Sequence, residues 1–281
     1  MRVIKETEIV SAVKKLFIDA NTIIPDDIAL EIDNCELTEK SKMAKMALQI
    51  IRENNKIAAE KNMPICQDTG MAIIFAKIGM DVKIDSEKNF SQIIDEGVRQ
   101  AYRDGFMRMS VVRDPLFRDN TNDNTPAIVY VELIQGDKIE ITAVPKGFGS
   151  ENMSRIKMFN PTATSDDIID FIVETVKIAD AKPCPPVVVG VGIGGTFDYC
   201  AILSKKALAR SINDDNSNPF YAQMEHDALT RINELKIGAQ GFSGDTTALS
   251  VKIEQFPTHI AGLPVAVNIC CHVARHKTVI L

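Results

Sequence analysis

The stretch Val187-Val-Val-Gly-Val-Gly-Ile-Gly-Gly-Thr196 joins a β-branched run to a run of glycines. A short apolar run of β-branched residues, bounded by glycines, predicts a buried strand over residues 187–191. Counted from Gly192, the segment Gly192-Ile-Gly-Gly-Thr196 lacks the third glycine of a dinucleotide-binding loop, and it has no lysine of a phosphate-binding loop, which favours a packing role. A helical pattern begins directly afterwards, at Phe197.

Apolar residues recur at helical spacing on both sides of this strand. The pattern predicts helices over residues 1–20, 38–61, 89–103, 165–182, 197–212 and 221–235. Acidic residues at Asp166 and Asp167 suit the positive end of a helix dipole, and Gly105 suits a helix terminator.

Further strands are predicted over residues 127–134, 138–144, 249–253 and 264–269. The Gly136-Asp137 pair between the first two is suited to the tight turn of a β-hairpin. Helices interleaved with hairpins and buried strands indicate an α/β to α+β fold, with a mixed β-sheet and surrounding helices.

Composition narrows the class of protein. The chain has 281 residues, of which 45% are hydrophobic and 25% charged, with a net charge of −6. This charge gives no general attraction to nucleic acid. The longest apolar runs are shorter than the roughly 18 to 20 residues that a membrane span needs. Charges within residues 1–20 argue against a signal peptide, so a cytoplasmic location is expected.

Six cysteines in a chain without an export signal are better interpreted as thiols, thiolates or metal ligands than as a disulfide framework. Cys66, Cys184 and the Cys270-Cys271 pair adjoin chain-turning residues. Their wide spacing matches neither compact zinc nor ferredoxin motifs. Metal binding and ordinary packing of small thiols therefore both remain open.

The residues after Cys66 are polar Gln67 and acidic Asp68, which packed core thiols rarely need as neighbours. Three thiolates around a four-iron cluster leave one iron without a protein ligand, and such an iron is a Lewis acid for a hydroxyl and a carboxylate. This combination is typical of dehydratases.

Across nearly its whole length the sequence resembles the alpha subunits of the class I fumarate hydratases and of the related L-tartrate dehydratases. Six ordered motifs carry the likeness: Cys66-Gln-Asp-Thr-Gly70, Asp123-Asn-Thr-Pro-Ala127, Lys146-Gly-Phe-Gly-Ser-Glu-Asn152, Cys184-Pro-Pro186, Gly192-Ile-Gly-Gly-Thr196, and Ala261-Gly-Leu-Pro-Val265 with Cys271 close behind. The resemblance implies one large domain covering residues 1–281.

The resemblance also implies an oxygen-sensitive [4Fe-4S] cluster held by Cys66, Cys184 and a third cysteine. We expect the third ligand to be Cys271, which directly precedes His272-Val-Ala-Arg275, with Cys270 as the alternative. Neighbouring residues on a strand point to opposite faces, so only one of the two is expected to face a cluster. The two remaining cysteines, Cys35 and Cys200, fit ordinary helix packing.

For the substrate, the family pattern implies catalytic and binding roles for Gln67 and Asp68, and binding roles for Arg108 and Gly149. The planar fork of an arginine makes paired, charge-assisted hydrogen bonds to a carboxylate. Three nearby arginines compete for this assignment on sequence alone: Arg103, Arg113 and Arg118. The glycines around Phe148 permit close backbone approach to an anion.

In single-chain relatives a further domain supplies the catalytic base. Because this chain stops at Leu281, we expect a separate beta subunit, an α2β2 assembly and a small dicarboxylate substrate, either malate and fumarate or tartrate and oxaloacetate. Two functions of other classes stay open: an electron-transfer or redox-sensing iron–sulfur protein, which needs full protein ligation of the cluster, and a thiol-containing scaffold without metal.

Overall fold

The computed structural model describes residues 1–281. Its strands are β1 (Arg2–Lys5), β2 (Met71–Gly79), β3 (Val82–Asp85), β4 (Ile128–Ile134), β5 (Ile139–Lys146), β6 (Arg155–Phe159), β7 (Val187–Gly195), β8 (Ala248–Thr258), β9 (Leu263–Cys270) and β10 (Lys277–Ile280). Its helices are α1 (Glu6–Thr22), α2 (Asp26–Thr38), α3 (Lys42–Lys61), α4 (Phe90–Asp104), α5 (Phe148–Glu151), α6 (Ser165–Ala179), α7 (Phe197–Ala207) and α8 (Pro219–Asn233). Helices and mixed sheets together confirm the predicted fold class.

The chain forms two compact units. Unit 1 comprises Met1–Pro25, Asn54–Phe148 and Arg275–Leu281, and unit 2 comprises Asp26–Glu53 and Gly149–Ala274. Each unit has a hydrophobic core of its own. No helix is both long enough and apolar enough to cross a membrane.

Unit 1 contains a four-stranded sheet in the order β10-β5-β2-β4. Strand β2 runs parallel to β4 and antiparallel to β5. Helices α1 and α4 supply Phe17 and Val98 to a core that also contains Ile141 of β5 and residues of β2. Parallel strands need a crossover connection, and α4 lies on the one from β2 to β4.

The predicted hairpin between β4 and β5 is wrong. Both strands exist close to the predicted bounds, but β2 lies between them and pairs with each. Gly136 instead accepts a hydrogen bond from the Asp81 amide, 2.9 Å from its oxygen, at the turn after β2. Gly136 and Asp137 therefore do not close a hairpin, and Gly136 instead contacts the turn after β2.

Unit 2 contains a four-stranded sheet in the order β6-β9-β7-β8. Strand β7 is central: it runs parallel to β8 and antiparallel to β9. Its side chains Val187, Val189 and Val191 join the core with α6 and α8. The strand extends to Gly195, beyond the predicted end at residue 191, so the glycine run belongs to the sheet.

Side-chain caps fix the starts of α4 and α6. Asn89 and Gln92 cap α4 reciprocally, each side chain accepting a backbone N–H at 3.0 Å, and Gly105 ends the helix as predicted. Thr164 and Asp167 cap α6 in the same way. The predicted first helix is partly wrong, because β1 pairs with β3 before α1 begins.

Glycines in β7 allow the strand to approach α7 closely. A Cβ added at Gly192 would lie 2.0 Å from the carbonyl oxygen of Cys200 and 2.7 Å from the amide nitrogen of Ser204. Both are backbone atoms, so relief requires movement of the helix. This contact supports the packing role that the sequence predicted for the glycine run.

We expect Gly192→Ala to lower the free energy of unfolding by about 1–3 kcal/mol or more, because overpacking a tight contact forces backbone shifts. Urea unfolding followed by circular dichroism measures the loss. Gly262→Ala is the matched control, since its added Cβ would lie 4.0 Å from the nearest atom, the His259 oxygen. Equal unfolding midpoints for the two variants would contradict the prediction.

Candidate functional site

Residues Cys66–Gly70, here called the Cys66 loop, join the end of α3 to β2 in unit 1. The entry to the loop is fixed at Ile65. The Ile65 amide donates to the Asn21 oxygen at 2.8 Å, and the Asn54 side-chain amide donates to the Ile65 oxygen at 2.9 Å. Both backbone hydrogen-bonding groups of Ile65 are therefore satisfied, which fixes the chain where the loop begins.

Buried polar side chains fix the other end of the loop. The Tyr102 hydroxyl lies 2.8 Å from the Thr69 oxygen and 2.7 Å from the Gly70 oxygen. The Asn124 amide also donates to the Gly70 oxygen, at 3.2 Å. The Thr69 hydroxyl in turn donates to the Arg108 backbone oxygen at 3.0 Å. This network brings Arg108 to the loop that carries Cys66.

Asp68 organises the centre of the loop. Its carboxylate accepts the Gly70 amide at 3.0 Å and the Phe148 amide at 2.8 Å, one on each oxygen. Its own amide donates to the Cys66 sulfur at 3.4 Å. Gln67, between them, is exposed. The loop thus presents a half-buried thiol and an exposed amide side chain on a backbone that its neighbours hold in place.

Gly70 is required where the loop meets β5. Its φ is +81°, in the left-handed region, and an added Cβ would lie 2.7 Å from the Lys146 amide nitrogen. Only glycine fits this close backbone crossing. The motif Lys146-Gly-Phe-Gly therefore lies beside the Cys66 loop through its first residues, Lys146 to Phe148.

Arg108 is exposed, as are its competitors Arg103, Arg113 and Arg118. Its segment is held in place, because the Ser110 amide donates to the Asn124 side-chain oxygen at 2.7 Å. A guanidinium on a fixed backbone, facing solvent, suits an incoming anionic solute. Of the residues predicted to contact substrate, Gln67, Asp68 and Arg108 are brought together within unit 1.

Unit 2 brings together Cys184 and the end of β9. Cys184 lies between α6 and β7, is exposed, and has a φ of +55°. A left-handed conformation is uncommon for a residue other than glycine and is strained. The His272 amide donates to the Cys184 oxygen at 3.4 Å, so residues 271 and 272 run beside the turn at Cys184.

Cys270 and Cys271 differ in burial. Cys270 is the last residue of β9, pairs with Val188 and is 8% exposed. Cys271 follows the strand and is half-buried. The more open environment of Cys271, next to the turn at Cys184, supports it over Cys270 as a ligand, and the assignment stays a prediction.

Gly149 is exposed, and an added Cβ there would meet no atom within 4 Å. The short helix it belongs to is anchored by Glu151. That carboxylate accepts the Asn268 side-chain amide at 3.0 Å and forms an ion pair with Lys205. Asn268 lies on β9 and Lys205 on α7, so the turn at Gly149 is tied to both elements of unit 2.

No group of three or more His, Cys, Asp or Glu side chains within either unit is arranged to hold a metal ion. Cys66 belongs to unit 1, whereas Cys184 and Cys271 belong to unit 2. The three-cysteine site therefore remains a prediction, supported inside unit 2 by the proximity of two of its three segments.

Cys35 and Cys200 lie in helices, in agreement with the packing role expected for them. Burial, followed by the nearby charge of Glu31, raises the pKa of Cys35 to about 12. Burial also raises the pKa of Cys200, which is fully buried. Groups that resist ionisation are poor thiolate donors.

We expect alkylation of the metal-free chain at pH 8 to modify Cys184 well before Cys35. A thiol with a pKa near 12 is ionised to only about one part in ten thousand at that pH, and the thiolate is the reactive form. Exposure of Cys184 removes the steric barrier there. Timed iodoacetamide labelling with peptide mass spectrometry measures both rates, and faster labelling of Cys35 would overturn the expectation.

Three residues that hold the Cys66 loop were not predicted from the sequence: Tyr102, Asn124 and Arg275, whose guanidinium donates to the Asp68 backbone oxygen. Asn124 lies in the motif Asp123-Asn-Thr-Pro-Ala127, and Arg275 ends the segment after Cys271. The sequence thus pointed to both positions, but it did not show what either residue does. Tyr102 is fully buried on α4, and burial raises the pKa of its phenol well above the usual range. Its place on an apolar helix face gave no sign of a polar contact.

Comparison with known proteins gives a consistent result. The model of the family described as fumarate hydratase (Fumerase) matches residues 10–280. A protein of Methanocaldococcus jannaschii named "Putative L(+)-tartrate dehydratase subunit alpha" is 41% identical over 273 residues, which cover 95% of each chain. A protein of Escherichia coli O157:H7 named "L(+)-tartrate dehydratase subunit alpha" is 30% identical over 282 residues, or 99% of this chain and 91% of that one.

Proposed function

The chain belongs to the fumarate hydratase (Fumerase) family, and from this premise we propose that it is the alpha subunit of a hydro-lyase that interconverts fumarate and (S)-malate. The observation that carries the proposal is the near full-length likeness to that family and to proteins named as dehydratase alpha subunits. A dehydratase of this kind must hold a hydroxy acid by its carboxylates and assist departure of its hydroxyl.

The proposed cofactor is a [4Fe-4S] cluster held by Cys66, Cys184 and Cys271. When bound, a cluster with one iron not ligated by protein supplies a Lewis acid for a hydroxyl and its neighbouring carboxylate. The donor set fits such a group. The Asp68 amide already donates to the Cys66 sulfur at 3.4 Å, and hydrogen bonds to ligating sulfurs are a feature of cluster sites.

The other two ligands also fit in their surroundings. Cys184 is exposed on a strained turn, and Cys271 is half-buried beside it. Strained backbone conformations cluster at functional sites. We also propose a cytoplasmic location, because thiolate ligands of an iron–sulfur cluster suit a reducing compartment.

Arg108, Gln67 and Gly149 are proposed to bind the substrate. The exposed guanidinium of Arg108 can pair with a carboxylate through two hydrogen bonds, and Gln67 offers both a donor and an acceptor to a hydroxyl or carboxylate. Gly149 is exposed, and the open space on its Cβ side leaves room for an anion to approach the backbone. Together these groups would orient a four-carbon dicarboxylate.

Asp68 is the proposed catalytic carboxylate of this chain, with Gln67 assisting. Two backbone amides fix its orientation, one on each oxygen, so its remaining lone pairs point in defined directions. A carboxylate held in this way can accept a hydrogen bond from the substrate hydroxyl and help to hold or move its proton. Loss of water also needs a base at the neighbouring carbon.

We propose that this base stands on a beta subunit, in an α2β2 assembly. The relatives' names include the words "subunit alpha", which implies a partner chain for those proteins. None of the groups assigned here is left to remove the carbon-bound proton. The isolated chain is therefore expected to be inactive or nearly so.

L(+)-tartrate is the second candidate substrate, because the relatives described above are named as tartrate dehydratase subunits. Malate and tartrate both carry a hydroxyl beside a carboxylate, so Arg108 and Asp68 serve either one. Their difference is one further hydroxyl, and a site that hydrogen-bonds this group would reject the substrate lacking it.

The test is an anaerobic assay of the purified chain mixed with its candidate beta subunit, using malate, fumarate and L-tartrate in separate reactions. We expect turnover of one of the two substrate pairs by the mixture and almost none by either chain alone. Full activity of the alpha chain alone, or no turnover of any of the three acids by an iron-loaded mixture, would contradict the proposal.

A further inference from the structure

Arg275 is a buried cation in unit 1 without a carboxylate partner. The residue is 4% exposed. One terminal nitrogen donates to the Asp68 backbone oxygen at 2.5 Å, and Nε donates to the Pro145 oxygen at 3.4 Å. The other terminal nitrogen, Nη1, is buried and has no hydrogen-bond acceptor. Its hydrogen-bond acceptors within the chain are thus neutral carbonyl groups.

This arrangement is energetically unfavourable for the protein alone. A buried charge is normally paired, because removal of an ion from water is costly unless a counter-charge and hydrogen bonds compensate. Arg210, in unit 2, shows the usual solution: its guanidinium lies 3.0 Å from Glu225 and 3.5 Å from Glu254. An anion from outside the polypeptide would therefore stabilise the buried guanidinium of Arg275.

The neighbouring acidic groups do not fill this role. The Asp68 carboxylate is turned to the amides of Gly70 and Phe148, and only its backbone oxygen meets Arg275. The Tyr102 phenol is fully buried, and burial raises its pKa, so it remains neutral at physiological pH. Neither group therefore supplies a negative charge to the Arg275 guanidinium.

We propose that Arg275 is the positioning residue and buried counter-charge for the anionic cluster bound through Cys66; this inference rests on the proposed function. Asp68 connects the two, because its amide donates to the Cys66 sulfur and its oxygen accepts from Arg275. A thiolate-ligated iron–sulfur cluster is such an anion. Loading the cluster would supply the negative charge that the unsatisfied guanidinium lacks.

Burial separates this role from substrate binding. A soluble dicarboxylate arrives from solvent at each turnover, which suits the exposed guanidinium of Arg108. At 4% exposure, Arg275 is suited to a resident group that is bound once and kept. We therefore expect Arg275 to govern retention and reduction potential of the cluster and to leave the Michaelis constant of the substrate unchanged.

The test uses the full chain reconstituted anaerobically with iron and sulfide, as wild type, Arg275→Gln and Arg275→Lys. Glutamine keeps a hydrogen-bond donor for the Asp68 oxygen without the charge, whereas lysine keeps the charge. Arg231→Gln is the matched control, because it removes an arginine that already forms an ion pair with Asp170. Thermal unfolding of each metal-free variant checks that it folds.

We measure iron retained against a chelator and the midpoint potential of the cluster by redox titration. In Arg275→Gln we expect iron affinity to fall about 10- to 100-fold, the range for residues that support metal ligands. Its midpoint potential should also fall, because a lost positive charge disfavours the more negative reduced cluster. Arg275→Lys should lie nearer to wild type, and Arg231→Gln should match it.

Equal iron retention and potential in wild type and Arg275→Gln would overturn the inference. So would a rise in the Michaelis constant of the assembled enzyme with retention and potential unchanged, since that result would assign Arg275 to substrate. If the wild-type chain itself takes up no iron–sulfur cluster, the proposed function fails instead, and this outcome is separate from the first two.

Discussion

Replacement of Cys66, Cys184 or Cys271 by serine is expected to abolish cluster binding and to lower turnover strongly. A serine hydroxyl is a much weaker ligand for iron than a thiolate, and three ligands leave no spare donor. Lewis-acid assistance is worth several kcal/mol, and about 1.4 kcal/mol corresponds to tenfold in rate, so activity should fall by roughly a hundredfold or more. Iron analysis and anaerobic turnover of the mixed subunits measure the two losses.

The remaining cysteines provide matched controls for this result. Cys35→Ser changes a thiol whose pKa is raised to about 12, chiefly by burial, and should leave the iron content unaltered. Cys270→Ser discriminates between the neighbouring candidates, because Cys270 is buried at the end of β9 whereas Cys271 is half-buried beyond it. A chain that keeps its iron as Cys271→Ser but loses it as Cys270→Ser would reverse the assignment of the third ligand.

Asp68→Asn is expected to lower kcat by about a hundredfold or more, within the range of 10²–10⁴ for a positioned acid–base group. The substitution removes the negative charge. In the wild type, the amides of Gly70 and Phe148 each donate to one carboxylate oxygen of Asp68. In the variant, the NH₂ group of the asparagine faces one of these amides, and that hydrogen bond is lost. Steady-state assays of the mixed subunits give kcat, and iron analysis shows whether the cluster is retained.

Asp85→Asn serves as the control for this variant, since Asp85 is exposed at the end of β3. It should reproduce wild-type kcat. An Asp68→Asn enzyme that retains its iron and turns over at the wild-type rate would remove Asp68 from the catalytic assignment and leave it as a structural anchor of the Cys66 loop.

The helices could be predicted largely from sequence because their signals are local. Apolar spacing and the side chains around Asn89 and Gly105 fixed α4 within about a residue, and the start of α6 was found as well. Strand pairing is not local. Strand β2 was not predicted, and it lies between β4 and β5 in the sheet. The prediction that β4 and β5 pair with each other, made because a turn sequence joins them, was therefore wrong.

In the candidate site, too, local features could be predicted from the sequence and contacts between distant residues could not. The Cys66 loop could be found because its residues are contiguous and chemically unusual, and the same holds for the turn at Cys184. The supports of the loop come from elsewhere in the chain: Arg275 reaches Asp68 across 207 positions and Tyr102 reaches Thr69 across 33. No periodicity or spacing in the sequence encodes such contacts, which arise only when the sheet of unit 1 has formed.

The proposed cluster with one open iron is tested most directly by a spectroscopic titration of the anaerobically reconstituted chain, enriched in ⁵⁷Fe, with malate, fumarate and L-tartrate. We expect about four irons per chain and a Mössbauer shift confined to about one quarter of the iron signal when the true substrate is added, because a single iron lacks a protein ligand. A chain that binds no cluster, or a cluster whose spectrum none of the three acids changes, would contradict it.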